Sequence, residues 1–329
     1  MNETTNNRDA GRRFPDFNIL DFSTKYFIQL LLIVLVVALG LANSYFRTTT
    51  NLQNILLQAS FSGMGAAGMT LLIVSGAFDL SVAGLLGLCG VILAKLVPDI
   101  GVTLAIGTSL AIGFILGSLD GLVVTKLRIP AFIATLGMMN IYVALAFIWS
   151  GGEVIPVPDV TFQFLGTGTL FGVLPVPFVV MILTYLVCQA ILSRTLFGRY
   201  LRAIGSNEIA GRIAGLPVDS VRIIAFAMVG GCTALAGTFL TAELSSANAI
   251  MASGYELTVI AVVVIGGTSL KGGKGTLFGS FAGALFFAVI SNALNIFGVG
   301  AYWQYVVTGL FLISALGLQA LRSSILPVE

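Results

Sequence analysis

The sequence RTLFGRYLRAIGSNEIAGRIAGLPVDSVR, residues 194–222, is the longest polar interruption after the N-terminal tail of a very apolar chain. It contains five of the chain's 16 Lys and Arg residues. Ser206 is predicted to cap a helix, and Glu208 suits the first turn, where the helix dipole favours an anion. Gly215, followed by a proline two residues later, suits the position just past a helix end. The stretch therefore predicts a short helix over about Asn207 to Ala214.

This short helix is too small to cross a bilayer. At 1.5 Å per residue it measures about 12 Å, and so short a helix is marginal by itself. Glu208 and Arg212 stand at i,i+4 on one side, and Ile209 and Ile213 have the same spacing on another. The pattern predicts a helix that lies flat with an apolar underside and a charged top, as a docking element for a partner.

The composition excludes a water-soluble globular domain. Of the 329 residues, 57% are hydrophobic and only 9% are charged, and the mean hydropathy is +1.03. Apolar stretches long enough to span about 30 Å of hydrocarbon recur along the chain, which predicts an all-α polytopic membrane protein. We predict about ten transmembrane helices, near residues 26–46, 54–75, 81–97, 101–124, 131–149, 175–193, 223–242, 257–269, 276–295 and 302–321.

The charge distribution predicts the orientation. With the N-terminus inside, every Lys and Arg except Arg47 and Lys95 falls in a cytoplasmic segment, as the positive-inside rule requires. The predicted organisation is a cytoplasmic tail over residues 1–25, one transmembrane domain over residues 26–321 with a cytoplasmic coupling loop at 194–222, and a cytoplasmic tail over residues 322–329. The apolar run after the first tail is too long for an ordinary cleaved signal peptide.

The sequence lacks the residue patterns of catalytic, metal and nucleotide sites. It has no histidine, and Cys89, Cys188 and Cys232 are separated and lie in apolar spans, where they are expected to stay inert thiols. The stretch GGTSLKGGKGT resembles a phosphate-binding loop, but Thr268 and Gly275 stand where that motif needs Gly and Ser or Thr. We therefore expect no catalytic residues, no metal and no cofactor in this chain, and no enzyme activity.

Glycine-rich breaks interrupt the predicted spans at two places. The segments VSGAFDLSVAGLLG from Val74 and VIGGTSLKGGKGTLFG from Val264 resemble each other, which suggests an internal repeat. Broken segments are tolerated at membrane depth only against protein or a water-filled cavity. Two further glycine ladders, Gly113–Gly117–Gly121 and Gly275–Gly279–Gly283, are typical of closely packed helices.

A few polar residues lie in or beside the predicted spans. Asp79 and Asp120 are costly at membrane depth and are expected to face the bundle interior or a cavity. For Asp79 a helix-end cap at the cytoplasmic edge competes with a role at the cytoplasmic exit of a path, and Asp120 can instead pair with Lys126 or Arg128. Neutral side chains suited to a path for a hydroxyl-rich solute are Asn140, Asn292, Asn295 and Gln304. Interhelical hydrogen bonding is an equal alternative for them.

Five segments together resemble the permease subunits of ribose-type sugar ABC importers, the branch that includes ribose, xylose, arabinose and galactose systems. They are GAFDLSVAG from Gly76, KLRIPAFIATLGMM from Lys126, FGRYLRAIGSNEIAGRIAGLPV from Phe197, GYELTVIAVVVIGGTSLKGGKGT from Gly254 and QYVVTGL from Gln304. The likeness runs from about Asn51 to Leu321, nearly the whole chain. Where the family often has two alanines after the glutamate of the coupling loop, this chain has Ile209 and Ala210.

The resemblance implies a function and a set of partners. The loop at 194–222 resembles the coupling segment that sits in a cleft of the ATPase, and the implied coupling residues, with Arg212 added from its helix position, are Arg199, Gly205, Asn207, Glu208, Ala210, Arg212 and Gly215. The implied partners are a second permease subunit, with a homodimer preferred to a heterodimer, a cytoplasmic ABC ATPase that holds ATP–Mg, a periplasmic sugar-binding protein, a monosaccharide and membrane lipid, with no nucleic acid. The implied location is the bacterial inner membrane.

Two other functions remain open from the residues alone. A secondary transporter or solute channel that works by itself would need a buried ion or proton relay, and the chain has few intramembrane acids and no histidine. A scaffold subunit without a pathway is distinguished by whether paired chains enclose polar residues. The sugar itself cannot be read from the sequence.

Overall fold

Helices make up nearly all of the regular structure in residues 27–325, which are the residues that the computed structural model describes. The predicted N-terminal tail, residues 1–25, lies outside the described residues, as does the end of the C-terminal tail at 326–329. The helices are α1 (Phe27–Ala42), α2 (Thr49–Val74), α3 (Val82–Lys126), α4 (Ala131–Ser150), α5 (Val160–Thr167), α6 (Val176–Arg194), α7 (Leu196–Ser206), α8 (Glu208–Ile213), α9 (Val218–Leu244), α10 (Tyr255–Ile265), α11 (Leu277–Ile296) and α12 (Ala301–Ile325).

The connections at one end of the bundle contain short pieces of strand and a 3-10 turn. Strand β1 (Ile155–Pro156) pairs antiparallel with β4 (Ser246–Ala247), and β2 (Thr169–Leu170) pairs antiparallel with β3 (Leu174–Pro175). The 3-10 turn, Tyr45–Arg47, leads from α1 into α2. These pieces tie the loops at that end to one another.

Six of the described helices are long and apolar enough to cross a membrane, namely α2, α3, α4, α6, α9 and α11. This confirms the prediction of an all-α polytopic membrane protein. α1, with 16 residues, and α10, with 11 residues, are apolar but shorter. The count of ten spans and the orientation of the termini stay predictions.

The 45-residue α3 is two membrane-length pieces folded back on each other. Gly101, at φ 77°, is non-helical within it and follows Pro98, so the helix axis breaks there. The Ser109 hydroxyl donates to the Cys89 carbonyl oxygen at 3.2 Å, and residues on either side of Gly101 can meet in this way only if the two pieces run antiparallel. The spans predicted at 81–97 and 101–124 are these two pieces.

Glycine residues set how closely α3 and α9 pack. A side chain at Gly117 would overlap the Phe226 carbonyl oxygen, and one at Gly113 would overlap Ala234. The ladder Gly113–Gly117–Gly121 therefore lies against α9 along its length, which confirms close helix packing as its role. In the second ladder, Gly279 and Gly283 lie in the same way against the end of α10.

α10 ends earlier than the sequence predicted. The span expected at 257–269 is helical only as Tyr255–Ile265, and the C-cap Gly266 opens a loop that runs to Thr276, the residue that caps α11. Eleven residues rise about 16 Å, roughly half of the hydrocarbon thickness. The glycines of the loop disfavour helix continuation, and hydropathy alone could not separate them from the span.

The α3–α9 contact generates a prediction about stability. Replacing Gly117 by Ala pushes a methyl group into the backbone of α9, where neither partner can move without a helix shift. We expect the free energy of unfolding to fall by about 1–3 kcal/mol. Thermal unfolding of the purified chain in detergent, followed by size-exclusion fluorescence, measures the change. Gly107→Ala is the control, because that position in the same helix has open space around it, and an equal loss in both variants would contradict the packing argument.

Candidate functional site

The predicted docking helix exists as α8, with a different cap. Asn207, not Ser206, caps it, and the Asn207 side chain accepts the Ala210 N–H at 3.0 Å. Ser206 instead ends α7, and its hydroxyl donates to the Arg202 carbonyl oxygen. The sequence prediction missed α7, which precedes α8 almost without interruption. Gly215 follows the C-terminus at φ 76°, as predicted.

Glu208 is the centre of an ion-pair network at the base of α8. It accepts from Arg212 at 3.0 Å, which confirms the predicted i,i+4 pair, and it lies 2.7 Å from Arg222 on α9. Arg212 also lies 2.9 Å from Asp219. Partial burial raises the pKa of Glu208, but the charges and hydrogen bonds of Arg222 and Arg212 outweigh burial and lower it. The carboxylate therefore stays ionised at neutral pH and fastens α8 to the start of α9.

The apolar side of α8 does not pack on the other residues that the structure describes. Ile209 and Ile213 are 73% and 82% exposed, so the expectation of an apolar underside packed beneath the helix is wrong. The buried member of the helix is Gly211. Two exposed isoleucines one turn apart next to a charged network form a surface suited to a protein partner. Ala210 and, on α7, Arg199 are exposed at the same end.

α7 contacts the end of α2 and the loop after α10 through Gly76, Gly205, Gly272 and Gly273, which we call the glycine junction. The Gly273 N–H donates to the Val74 carbonyl oxygen, the last of α2, at 2.9 Å. A side chain at Gly205 would overlap that same carbonyl, and one at Gly272 would press on Gly205 and Gly76. The two segments with similar sequences, which follow α2 and α10, therefore touch each other and α7 at one place.

A charged cleft of about 680 Å³ opens beside α8. One wall is the break after α2, at Gly76 and Ala77, and another is the loop around Arg128. The Arg222 guanidinium also reaches the Ser75 carbonyl oxygen at 3.5 Å. The docking helix is thus connected through Arg222 to the end of α2.

The structure buries both intramembrane aspartates. Asp79 and Asp120 have no accessible surface. Asp79 accepts the Ser81 N–H at 2.7 Å directly before α3, which agrees with the helix-end interpretation. A side chain without accessible surface does not line an open exit in this conformation. Asp120 does not pair with Lys126 or Arg128, because Lys126 is 3.2 Å from Asp219 instead.

An amide-rich pocket of about 320 Å³ lies at the other end of the bundle. Asn292 and Asn51 exchange two hydrogen bonds at its base, of 2.8 Å and 3.1 Å. Asn295 lines the pocket and accepts from Gln304 at 2.9 Å. The polar residues that line the pocket are Tyr45, Asn51, Asn54, Gln58, Glu243, Asn292 and Asn295.

The predicted path residues therefore do not form one cluster in this chain. Asn292, Asn295 and Gln304 meet at the amide pocket. Asn140 lies exposed on α4, where its amide donates to the Leu136 carbonyl oxygen. Asp79 lies at the opposite end of the bundle, beside the cleft.

The pocket and the cleft are separated by about the thickness of a membrane. Asn51 at one end of α2 borders the pocket, and Gly76 just past the other end borders the cleft. Along α9, Glu243 and Asp219 occupy the two sites in the same way. Helices of this length rise roughly 35 Å between the sites, against about 30 Å of hydrocarbon.

A comparison with protein families shows which family this chain belongs to. Residues 51–316 match the family described as branched-chain amino acid transport system / permease component. The chain belongs to this permease family. That range runs from the start of α2 into α12, so it takes in the docking helix, the glycine junction and the amide pocket.

Relatives of this permease include two kinds of sugar importer subunit. The ribose import permease protein RbsC of Escherichia coli (strain K12) is 38% identical over 289 residues, covering 86% of this chain and 90% of the relative. RbsC of Bacillus subtilis (strain 168) is 37% identical over 296 residues, covering 89% and 92%. The L-arabinose transport system permease protein AraH of Escherichia coli (strain K12) is 38% identical over 299 residues, covering 88% and 89%. No solved structure matches the permease significantly.

The family and the apolar helices together place this permease in the bacterial inner membrane as a multi-pass protein. The names of the relatives describe transport subunits. The likeness to sugar ABC permeases that the sequence motifs suggested is therefore confirmed at the level of the family.

Sequence reasoning missed several residues of these sites. Arg222 lies within the polar stretch quoted first, but its pairing with Glu208 joins two helices and has no local signal. Asn51 and Asn54 lie at the start of α2, where polar residues are ordinary because a membrane span begins there. Glu243 reaches the pocket from the far end of α9, which no local sequence pattern predicts.

The ion pairs of Glu208 generate a prediction about α8. In Glu208→Gln the pairs to Arg212 and Arg222 are lost, at a cost of about 1 kcal/mol because the carboxylate is partly exposed. We expect the backbone amides of α8 to exchange hydrogen roughly fivefold faster, which mass spectrometry of the purified chain measures.

The sign of the pH effect follows from the lowered pKa of Glu208. Its stabilising contribution is complete above the ordinary value of 4.5 and is lost only as the pH falls through the lower folded value. Arg202→Gln is the control, since Arg202 is exposed on α7 outside this network. Unchanged exchange in Glu208→Gln would show that the ion pairs do not fasten α8.

The buried amide pair generates a prediction about coupling. Asn292→Leu leaves the Asn51 side chain short of its partner and is expected to lower the free energy of unfolding by about 1–3 kcal/mol. The double variant Asn51→Leu, Asn292→Leu should cost clearly less than the sum of the single variants. Unfolding of all three in detergent tests this, with the exposed Asn295→Leu as a control of small effect. Additive costs would show that the two amides do not interact.

Proposed function

We propose that this chain is the membrane-spanning permease subunit of an ABC importer that brings a monosaccharide into the cell. The observation that carries the proposal is the docking helix α8, which exposes two isoleucines and is fastened by Glu208 to the bundle. The names of the ribose and arabinose relatives support the transport of a sugar. A separate ABC ATPase, which holds ATP–Mg, occupies the α8 surface and drives transport.

The proposed topology has ten spans with both termini in the cytoplasm. The five unbroken long helices, the two pieces of α3, the shorter α1 and α10 and the 25-residue α12 together supply ten apolar helical segments. In this proposed topology α8 and the cleft lie on the cytoplasmic side. Lys126, Arg128 and the loop arginines then lie inside, in agreement with the positive-inside rule.

Closure of the ATPase is proposed to act on the glycine junction. Force on α7 and α8 reaches the end of α2 through Gly205 and through Arg222, which touches the Ser75 carbonyl oxygen. It reaches the loop after α10 through Gly273. Both contacts lie next to broken helices, which is where transporter helices change direction most easily.

The amide pocket is proposed as the outer part of the sugar path, below a periplasmic sugar-binding protein. A sugar must exchange its hydrogen bonds with water for hydrogen bonds with protein, and neutral amides supply both donors and acceptors. Among the residues that the structure describes, those that line the pocket include no Lys or Arg. The carboxylate of an amino acid would therefore lack a cation there, which favours an uncharged sugar over the substrate class named in the family description.

A second permease subunit, preferably a second copy of this chain, completes the path. Asn140 faces outward from α4 at membrane depth, where a polar side chain is better placed against protein than against lipid. Asp79 then serves the cytoplasmic exit only in a conformation that uncovers it.

Reconstitution tests the function. Proteoliposomes that contain the chain, its ATPase and its binding protein are expected to take up a pentose when ATP is present, in a panel of labelled pentoses and hexoses. Ile209→Asp with Ile213→Asp should reduce ATP-driven uptake by more than about tenfold, because it places charges in the apolar contact with the ATPase. Insertion into the membrane should be unchanged.

The control is Ile209→Leu with Ile213→Leu, which keeps the surface apolar and should keep uptake. Parent-rate uptake by the Asp variant would show that α8 is not the coupling element. Uptake by the chain without an ATPase would instead support a stand-alone transporter or channel.

A further inference from the structure

Within residues 27–325, two buried carboxylates lie inside the bundle without a cation. Asp79 and Asp120 are fully buried and are joined through Ser81, whose N–H donates to Asp79 at 2.7 Å and whose hydroxyl donates to Asp120 at 2.8 Å. Within residues 27–325 the ion pairs all use Glu208 or Asp219 instead. Two anions that share one serine in a low-dielectric interior repel each other strongly. One of the two carboxyl groups must therefore be neutral.

The hydrogen bonds of Tyr142 show where an additional proton fits. Its hydroxyl oxygen is 2.8 Å from Asp120 Oδ1 and 3.2 Å from the Leu116 carbonyl oxygen. A tyrosine hydroxyl has one proton, so it satisfies only one of these two acceptors well. A proton on Asp120 Oδ1 satisfies both contacts, because Asp120 then donates to Tyr142 and Tyr142 donates to Leu116.

Asp79 lies where the dipole of α3 favours its ionised form, although its Oδ2 has no hydrogen-bond partner among residues 27–325. It accepts a backbone N–H directly before the start of α3, where the helix dipole stabilises negative charge. Asp120 lies inside the same helix and receives only side-chain hydroxyls.

We propose that Asp120 is a proton-binding site, which holds one proton against Tyr142 at neutral pH while Asp79 stays ionised. Ionisation releases that proton to water and places a second anion on Ser81, the residue that caps α3. Ser81 is the last residue of the non-helical segment between α2 and α3, which begins beside the charged cleft. Because Ser81 bonds Asp120 and Asp120 bonds Tyr142 on α4, the proton on Asp120 holds the start of α3 against α4. The proposal does not depend on what the protein transports.

The surroundings contain few other groups that titrate. On α4 the neighbouring titratable group is Tyr142, and on α3 it is the Cys89 thiol. α9 covers the helix beside Asp120 with Ile223 and Phe226, which are apolar and contact the glycines at 117 and 121. Lys126, six residues after Asp120, forms an ion pair with Asp219 instead.

Infrared spectroscopy of the purified full chain in lipid nanodiscs tests the proposal. At neutral pH we expect the carbonyl stretch of a protonated carboxylic acid. Asp120→Asn, whose amide reproduces the proton donor to Tyr142, should abolish this band. The exposed control Asp99→Asn should retain it.

A band that is absent at neutral pH, or one that persists in Asp120→Asn, would overturn the proposal. Tyr142→Phe gives a second readout that does not require removal of Asp120. It should shift the band to higher frequency, since the acid loses its acceptor, and an unshifted band would equally refute the site.

Discussion

The backbone carbonyl of Val74, at the end of α2, determines how α7, α8 and the loop after α10 are arranged at the cleft end of the bundle. Gly273 donates to it at 2.9 Å, and Gly205 lies so close to it that no side chain fits between. Three segments far apart in the sequence therefore share one contact point. A side chain at any of these glycines would separate α7 from the end of α2, and α8 would lose its seat on the bundle.

The local features of the docking helix could be predicted from sequence, and its setting could not. Charge at i,i+4 and a glycine at the helix end act over a few residues, so the pair Glu208–Arg212 and the role of Gly215 were predicted correctly. The cap was wrong because Ser206 belongs to α7, where it bonds the Arg202 carbonyl oxygen. The outward direction of Ile209 and Ile213 depends on how α8 packs against other helices. Amphipathic spacing shows that the two residues share a helix face but not whether that face points outward.

The membrane character and most helix positions followed from hydropathy, since length and apolar composition determine which segments can cross a bilayer. The pairing of polar side chains in the bundle did not follow. Asn51 forms hydrogen bonds with Asn292, which lies 241 residues later, and Asp120 contacts Tyr142 on the next helix instead of pairing with the nearby Lys126. Burial makes these partners strongly favoured once the helices pack, yet nothing in the sequence around either residue identifies the other.

The two open sites of the chain are not joined within it. Between the amide pocket and the charged cleft, α2 is sealed by the stretch from Met64 to Val74, whose apolar side chains are at most 1% exposed. The side chains there, such as Leu71 and Ile73, would leave the hydroxyls of a sugar without hydrogen bonds. A hydrophilic solute therefore cannot pass along α2 inside one chain in this conformation. On the function proposed above, the path between the two ends runs along a surface that a second subunit encloses, or it opens when the bound ATPase moves the glycine junction.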